Sequence, residues 1–229
     1  MSRISTSIVL CCAMSSASLA QTIVCGSARR NAAATQARVL VLRPRVKFWK
    51  EKAFSRSESE GAVEGVQAGF HGVLSRTFEA KGYTLRFDPK MMAQWEETPP
   101  NDGAIKALQD DYDSLLSLVS TTAFPDCNRM LKTSLQEDLK KVTDLSEFDA
   151  VVLARAHGKA MTKTAKLTDW YGSNDLHFNI GVVDGSTGRL LYYCESTATG
   201  NYMSAPDSRL SGPVQNCLKQ YFSGGPNHR

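Results

Sequence analysis

Apolar residues take alternate positions in the stretch RVLVLRPRVKFWK, residues 38–50: Val39 and Val41, then, beyond Pro44, Val46 and Phe48. A period of two predicts a first strand. Proline brings no N–H to a ladder, so Pro44 is expected at an edge or a bulge. The period then changes. Ser57 and Glu60 have capping-box spacing, and Val63, Val66, Phe70, Val73, Leu74 and Phe78 recur at helical intervals. Lys81-Gly82 supplies the stop, and YTLRF at 83–87 reads as a short strand closed by Pro89.

Residues 90–147 have a different texture. QWEETPPNDG is a turn-rich loop, after which Ile105, Leu108, Tyr112, Leu115, Leu116 and Val119 mark a second helix. Met130, Leu131, Leu135, Leu139 and Val142 mark a third. Both are amphipathic and need a surface to bury against, so a helical insertion resting on the main sheet is expected. FDAVVLARAHGKAMT, 148–162, is a β-rich run with few breaks, as in a strand covered on both faces. DLHFNIGVVD, 175–184, puts Leu176, Phe178, Ile180 and Val182 on one face and His177, Asn179 and Val183 on the other. The turn at 184–188 places Gly185 and Gly188 where positive φ is expected, and RLLYYCEST returns antiparallel with Leu190, Tyr192 and Cys194 on one face. A last helix starts at Gly212-Pro213, with Val214, Cys217, Leu218 and Tyr221 on its apolar side.

The pattern predicts one α+β domain over 38–223: a mixed or antiparallel sheet of about five strands, packed helices, the helical insertion 90–147, and a tail at 224–229. Ahead of it, MSRISTSIVLCCAMSSASLA has the basic start, apolar centre and small-residue end of a secretory signal, residues 1–20. Residues 21–37 read as a flexible tether. A lipobox-like junction at Cys25, followed by Gly-Ser, offers lipidation of that cysteine as a second reading. Val24 stands where the usual lipobox has a small residue.

Composition changes the picture in two respects. A formal charge of +4 is too mild to argue for nucleic acid, and no later run is long enough to span a membrane, so membrane contact is expected only through a lipid anchor. Four cysteines follow the signal: Cys25, Cys127, Cys194 and Cys217. In an oxidising compartment they allow three pairings. A helix packed on the hairpin would bring Cys194 to Cys217; the alternative is two buried thiols acting as small hydrophobes.

The element order resembles a group of bacterial envelope proteins: the TolB amino-terminal domain, the curli-secretion lipoprotein, and the lipoprotein activators of penicillin-binding proteins. ARVLVLRP is similar to their opening strand, LSRTFEAKGYTLRFDP to their helix-glycine-strand passage, FDAVVLARAHGKA to their central strand, and NIGVVDGSTGRLLYYCES to their hairpin. The likeness covers about 70 residues. The resemblance implies an α/β sandwich that binds an envelope protein or cell-wall component without catalysis, located in the periplasm or secreted, or anchored at the outer membrane. Residues 90–147 and the poor lipobox depart from that pattern.

The residues themselves carry little chemistry. His157 and His177 fall on runs expected to be neighbours, and with Asp175 or Asp149 they would make the site of a small metal-dependent hydrolase. Nothing fixes a third ligand, so ordinary strand histidines are expected, with no metal or cofactor. Asp110, Asp111 and Asp113 lack EF-hand spacing and are expected on a solvated helix face. Nucleophile-elbow and phosphate-loop motifs are absent. Partner contact is assigned instead to Trp170 and Tyr171 in the loop AKLTDWYGSND, and to Trp95. Oligomeric state is left open.

Overall fold

The computed structural model describes residues 23–26, 37–52, 55–58, 60–85, 102–119, 126–142, 148–161, 175–200, 202 and 205–223. Eight strands and five helices lie among them. In chain order they are β1 (Ile23–Gly26), β2 (Arg38–Val41), β3 (Arg45–Lys52), β4 (Ser55–Glu58), α1 (Glu60–Glu79), β5 (Thr84–Leu85), α2 (Asp102–Val119), α3 (Cys127–Met130), α4 (Gln136–Val142), β6 (Ala150–Met161), β7 (Asp175–Asp184), β8 (Leu190–Thr199) and α5 (Pro206–Ser223). All strands join one mixed sheet in the order β1-β8-β7-β6-β2-β5, with β3 also beside β6 and β4 outside β3. The sheet is wider than the five strands expected, because short strands at its margins carry little periodicity.

Pro44 marks a bulge. Both β2 and β3 run parallel to β6, with Val41 opposite Val152 and Arg45 opposite Arg155. Three residues, Leu42 to Pro44, therefore face two, Leu153 and Ala154. The extra residue reverses the parity of the strand. That is why Val39 and Val41 share a core with Val46 and Phe48, although one pair is odd-numbered and the other even.

Helices cover both faces. On one face α1 and α5 bury Val66, Phe70, Leu74, Phe78, Leu210, Val214 and Leu218 against Ala150, Val152, Leu176, Phe178, Ile180 and Tyr192. Tyr192 donates its hydroxyl hydrogen to the Cys217 carbonyl at 2.6 Å. Beside it, Cys194 and Cys217 are joined in a disulfide. On the other face α2, α3 and α4 lay Leu108, Tyr112, Leu115, Leu116, Met130 and Leu139 over Leu40, Leu42, Val151, Leu153, Val183 and Leu190. β6 thus buries alternate residues on opposite faces, as its apolar run predicts.

Four expectations need correcting. Ile23 to Gly26, read as part of the tether, form the edge strand β1 antiparallel to β8, so the domain reaches Ile23. Leu190 does not share a face with Tyr192. The β7–β8 register shifts between Val182 and Val183, Val182 facing Tyr192 and Val183 facing Leu190, so the extra Leu191 turns Leu190 to the opposite core. Of the turn glycines only Gly188 has positive φ, at 65°. Gly185 is required for space instead, since a Cβ there would lie 2.0 Å from the Phe148 carbonyl oxygen. The last helix begins at Pro206, which suits a first turn that needs no N–H, and runs through Pro213.

The 184–188 turn is pinned from within and without. Asp184 Oδ1 accepts from the backbone N–H groups of Ser186 and Thr187 at 3.0 and 2.9 Å and from both hydroxyls. Leu135 N–H donates to the Gly188 carbonyl at 2.8 Å, and the Ser134 hydroxyl to that of Thr187. The hairpin tip is therefore the floor on which the insertion docks.

Cys25, the candidate for lipidation, is buried and disulfide-bonded to Cys127 at the start of α3, a sequence separation of 102. A thioether-linked lipid needs the same sulfur, so this pairing and lipidation exclude one another. The bridge ties the edge strand to the insertion. Closing a loop of that length stabilises a fold by about 4–5 kcal/mol in the chain-entropy account.

Two outcomes follow from this packing. Replacing Cys25 and Cys127 together by serine lowers unfolding free energy by roughly 3–5 kcal/mol in denaturant titrations, with the fold retained. Gly185→Ala forces the turn off the Phe148 carbonyl and costs about 2–4 kcal/mol, read as a fall in Tm.

Candidate functional site: an open polar face of the sheet

The second helical layer is shorter than the sheet it covers. Above Leu153 and Val183 the same face of β6 and β7 turns polar, and the register aligns those residues across strands. One row runs Arg45, Arg155, Asn179, Glu195; the next runs Lys47, His157, His177, Thr197. Trp49 opposite Lys159 begins a third. With strands 4.7–4.9 Å apart, each four-strand row spans about 14 Å. Lys47 and His177 are exposed; His157, Lys159, Trp49 and Thr197 are half-buried.

The lower row is where α2 ends its cover. Arg45 bonds Asp110 and, at 3.1 Å, Asp113; Arg155 meets Asp113 at 3.3 Å. The Arg45 hydrogen bond holds the Asp110 carboxyl below the usual carboxylate range. Asp110 and Asp111 are exposed, as the spacing suggested, and Asp110 and Asp113 in addition clasp α2 to the sheet. Between them on the helix, Tyr112 lies over Gly181, where a Cβ would come within 2.7 Å of its hydroxyl. The Tyr112 hydroxyl and Asn179 Oδ1 are buried and have no protein partner. Tyr193 donates to Glu195 at 3.0 Å.

The middle row is the chemically distinctive one. The His157 and His177 rings stack with centroids 5.3 Å apart and planes at 21°. Thr197 Oγ1 lies 3.0 Å from His177 Nδ1. With the hydroxyl donating there, Nε2 carries the ring hydrogen. Burial first, then the His177 and Arg155 charges, holds His157 below the ordinary histidine range. No carboxylate is among those influences. Tyr202 braces the ends of the two histidine strands, its hydroxyl 2.7 Å from the Lys159 carbonyl and 2.9 Å from that of Asp175.

The residues singled out from sequence fare unevenly. His157 and His177 do face one another. Asp149 is remote, eight positions down β6, about 26 Å, where it bonds the Arg38 N–H at 2.7 Å. Among the described residues no third His, Cys, Asp or Glu joins the pair as a metal-binding group. His71 is buried with Nε2 3.2 Å from the Val41 carbonyl. Trp170, Tyr171, Trp95 and His228 lie outside the described residues. Sequence reasoning missed Lys47 and Thr197, which complete the histidine row. The parity reversal at Pro44 was the available signal for Lys47; Thr197 had none, since its place depends on the bulge at Leu191.

A groove of about 830 Å³ lies on the opposite side, between α1 and α5, with Arg76, Lys81, Lys219 and Phe222 in its lining. The helices run parallel there, Gly69 beside Pro206 and Phe78 beside Tyr221. Its cations sit near two carboxyl-terminal helix ends, where the helix dipoles account for them. No described helix is long and apolar enough to cross a membrane.

No family model matches the chain. No curated protein matches it either. Among solved structures it is similar to the PelC dodecamer from Paraburkholderia phytofirmans, at 11% identity and TM-score 0.42, covering 91% of this chain and 100% of that one. It is similar to lipoprotein GNA1162 from Neisseria meningitidis, at 14% identity and TM-score 0.38, over 80% and 96% of the two chains. The hypothetical protein CT253 from Chlamydia trachomatis gives 15% identity and TM-score 0.40, over 81% and 93%. None of the three bears the TolB or curli-secretion description that the motifs resemble, and likenesses this distant assign no role to a residue.

The depressed His157 has a stability consequence with a definite sign. The folded chain takes up that proton later than the unfolded one, so stability falls as pH drops from about 6.5 through the folded value, then levels. His157→Gln removes this limb, which urea unfolding at pH 7.5 and pH 5 measures. A separate loss belongs to Asp184. Burial raises its carboxyl, the Ser186 and Thr187 hydrogen bonds outweigh that, and the net value is lowered, so its share disappears only below about pH 4.

Proposed function

We propose that the chain is an exported, non-enzymatic binding or assembly factor of the bacterial cell envelope that meets its partner through the open polar face. The observation that carries this reading is the three-row polar face itself. It is a half-exposed surface on a sheet whose apolar rows are buried under helices on both faces. A face that served only folding would be covered or would vary without alignment; here Lys47, His157, His177 and Thr197 stand in one line.

Export is supported by the secretory pattern of residues 1–20 and by two disulfides, each fixing one helical layer to the sheet. An oxidising compartment, the periplasm or beyond, suits such a fold. Trp170 and Tyr171 belong to the connection from β6 to β7 and are proposed as further contacts of the same partner. Trp95 belongs to the connection that precedes α2. A hydrolase built on His157 and His177 is the weaker reading. Their neighbours Lys47, Arg155 and Lys159 are cations, which disfavour a bound metal, and Asp149 is out of reach.

The test is site-specific photo-crosslinking in intact cells of the native host. A benzophenone side chain is placed at Lys47 or Thr197 on the face, and at Glu64 or Gln220 on the outer helices. The expected result is a discrete adduct from the face positions alone. Adducts of equal yield from both sets, or from the helical positions only, would overturn the assignment.

A further inference from the structure

We infer that the Lys47–His157–His177 row is an oxyanion site that takes a phosphate group and binds it more tightly in acid. The inference rests on the reading of this face as a contact surface and adds the chemistry of what it contacts. Three donors come from three adjacent strands in strict register: the Lys47 ammonium on β3, the His157 ring on β6 and the His177 ring on β7. Thr197 Oγ1 lies 3.0 Å from His177 Nδ1, and when the hydroxyl donates there the exposed ring carries its hydrogen on Nε2.

The surrounding charges point the same way. On β3 stand Arg45 and Lys47; on β6, Arg155 and Lys159. The carboxylates facing this region are Asp110 and Asp113 on α2, Asp175 on β7 and Glu195 on β8. The first two are committed to Arg45 and Arg155, and Glu195 accepts from Tyr193. Asp175, two positions from His177, is also engaged. After burial, His177 and Arg155 are the neighbours that hold the His157 proton off. Protonating the stacked pair thus adds charge beside Arg155 and Lys159, with Asp175 the carboxylate that shares this face of β7, and an oxyanion would offset that charge.

Phosphate suits the donors better than carboxylate. An ammonium binds phosphate as a point charge, whereas the fork that grips a carboxylate in two bonds belongs to arginine, and both nearby arginines already hold aspartates. One ammonium and two imidazoles on three adjacent strands offer separate donors to the several oxygens of one phosphate, and the long, flexible lysine stem lets its ammonium converge on them. Linkage then requires reciprocity: protons strengthen anion binding, and the anion raises both histidines.

Sulfate and inorganic phosphate are the probes, titrated into the full mature chain while the histidine ring signals are followed by NMR at pH 5.5 and pH 8. Sulfate keeps its charge across that range, so any change in its affinity reports protons on the protein. The expected result is at least about tenfold tighter sulfate binding at pH 5.5. Both histidines should titrate at higher pH with sulfate present. The His157→Gln/His177→Gln chain should lose the pH dependence, and exposed Lys47→Gln should weaken binding at both pH values with Tm unchanged. Vesicles of phosphatidylglycerol and of phosphatidylcholine separate the sources. Retention on the former that is lost in His177→Gln assigns the phosphate to a lipid headgroup; binding of free ions without vesicle retention assigns it to a soluble one. Equal affinity at the two pH values, histidine signals unmoved by either ion, or vesicle binding indifferent to His177→Gln would overturn the inference. Failure here with face-specific crosslinks intact removes the anion chemistry alone; loss of the crosslinks with sulfate still bound removes the partner reading instead.

Discussion

Strand β6 is the constraint on which the rest of the molecule depends. Its backbone is hydrogen-bonded along both edges, antiparallel to β7 and parallel to β2 and β3. A strand in that position cannot shift by one residue without exchanging its two faces. Ala150, Val152, Ala154 and Ala156 therefore always face α1 and α5, while Val151 and Leu153 face the insertion. Where Val151 and Leu153 give way to Arg155, His157 and Lys159, nothing apolar remains to hold a helix. The second layer ends and the polar face begins. Coverage and exposure are two halves of one strand.

The disulfides act on the same division. Cys194–Cys217 fastens α5 to β8 on one side of the sheet, and Cys25–Cys127 fastens α3 to β1 on the other. Each joins a helical layer to a strand near the β1 edge, the edge opposite β2 and β5. The bridges thus lock those layers to the sheet without crossing the open face. The Arg45–Asp113–Arg155 clasp and the braced Tyr202 hold that face from its two ends. A polar surface on such a frame is pre-organised, so contact there costs little ordering of the backbone.

The architecture was largely legible. The helix at 60–79, the apolar run of β6, the β7–β8 hairpin and helices within 102–142 all follow from periodicity and turn chemistry, and the structure has each of them, although Ser57 lies in β4 opposite Lys50 and does not cap the helix. The candidate site was legible in part: facing strands for His157 and His177 could be foreseen. The clasp made by the acidic cluster could not be read, because Asp110 and Asp113 look like any solvated helical carboxylates until Arg45 and Arg155 are brought to them from strands 65 and 42 positions away in the chain. Leu190 was misassigned because a single bulge residue leaves no mark in an apolar run.

By itself the sequence determined most of the helices and central strands and, Leu190 aside, which side of them is apolar, and its four cysteines suit an oxidising compartment. These are local properties: they depend on residues a few positions apart and on a backbone period of two or 3.6. The tertiary structure alone decided the partner of Cys25, the row that unites Lys47, His157, His177 and Thr197, and the point at which the insertion stops covering the sheet. Those depend on register between strands that the chain brings together from a distance, and register is set by bulges at Pro44 and Leu191 whose effect appears only when the strands are paired.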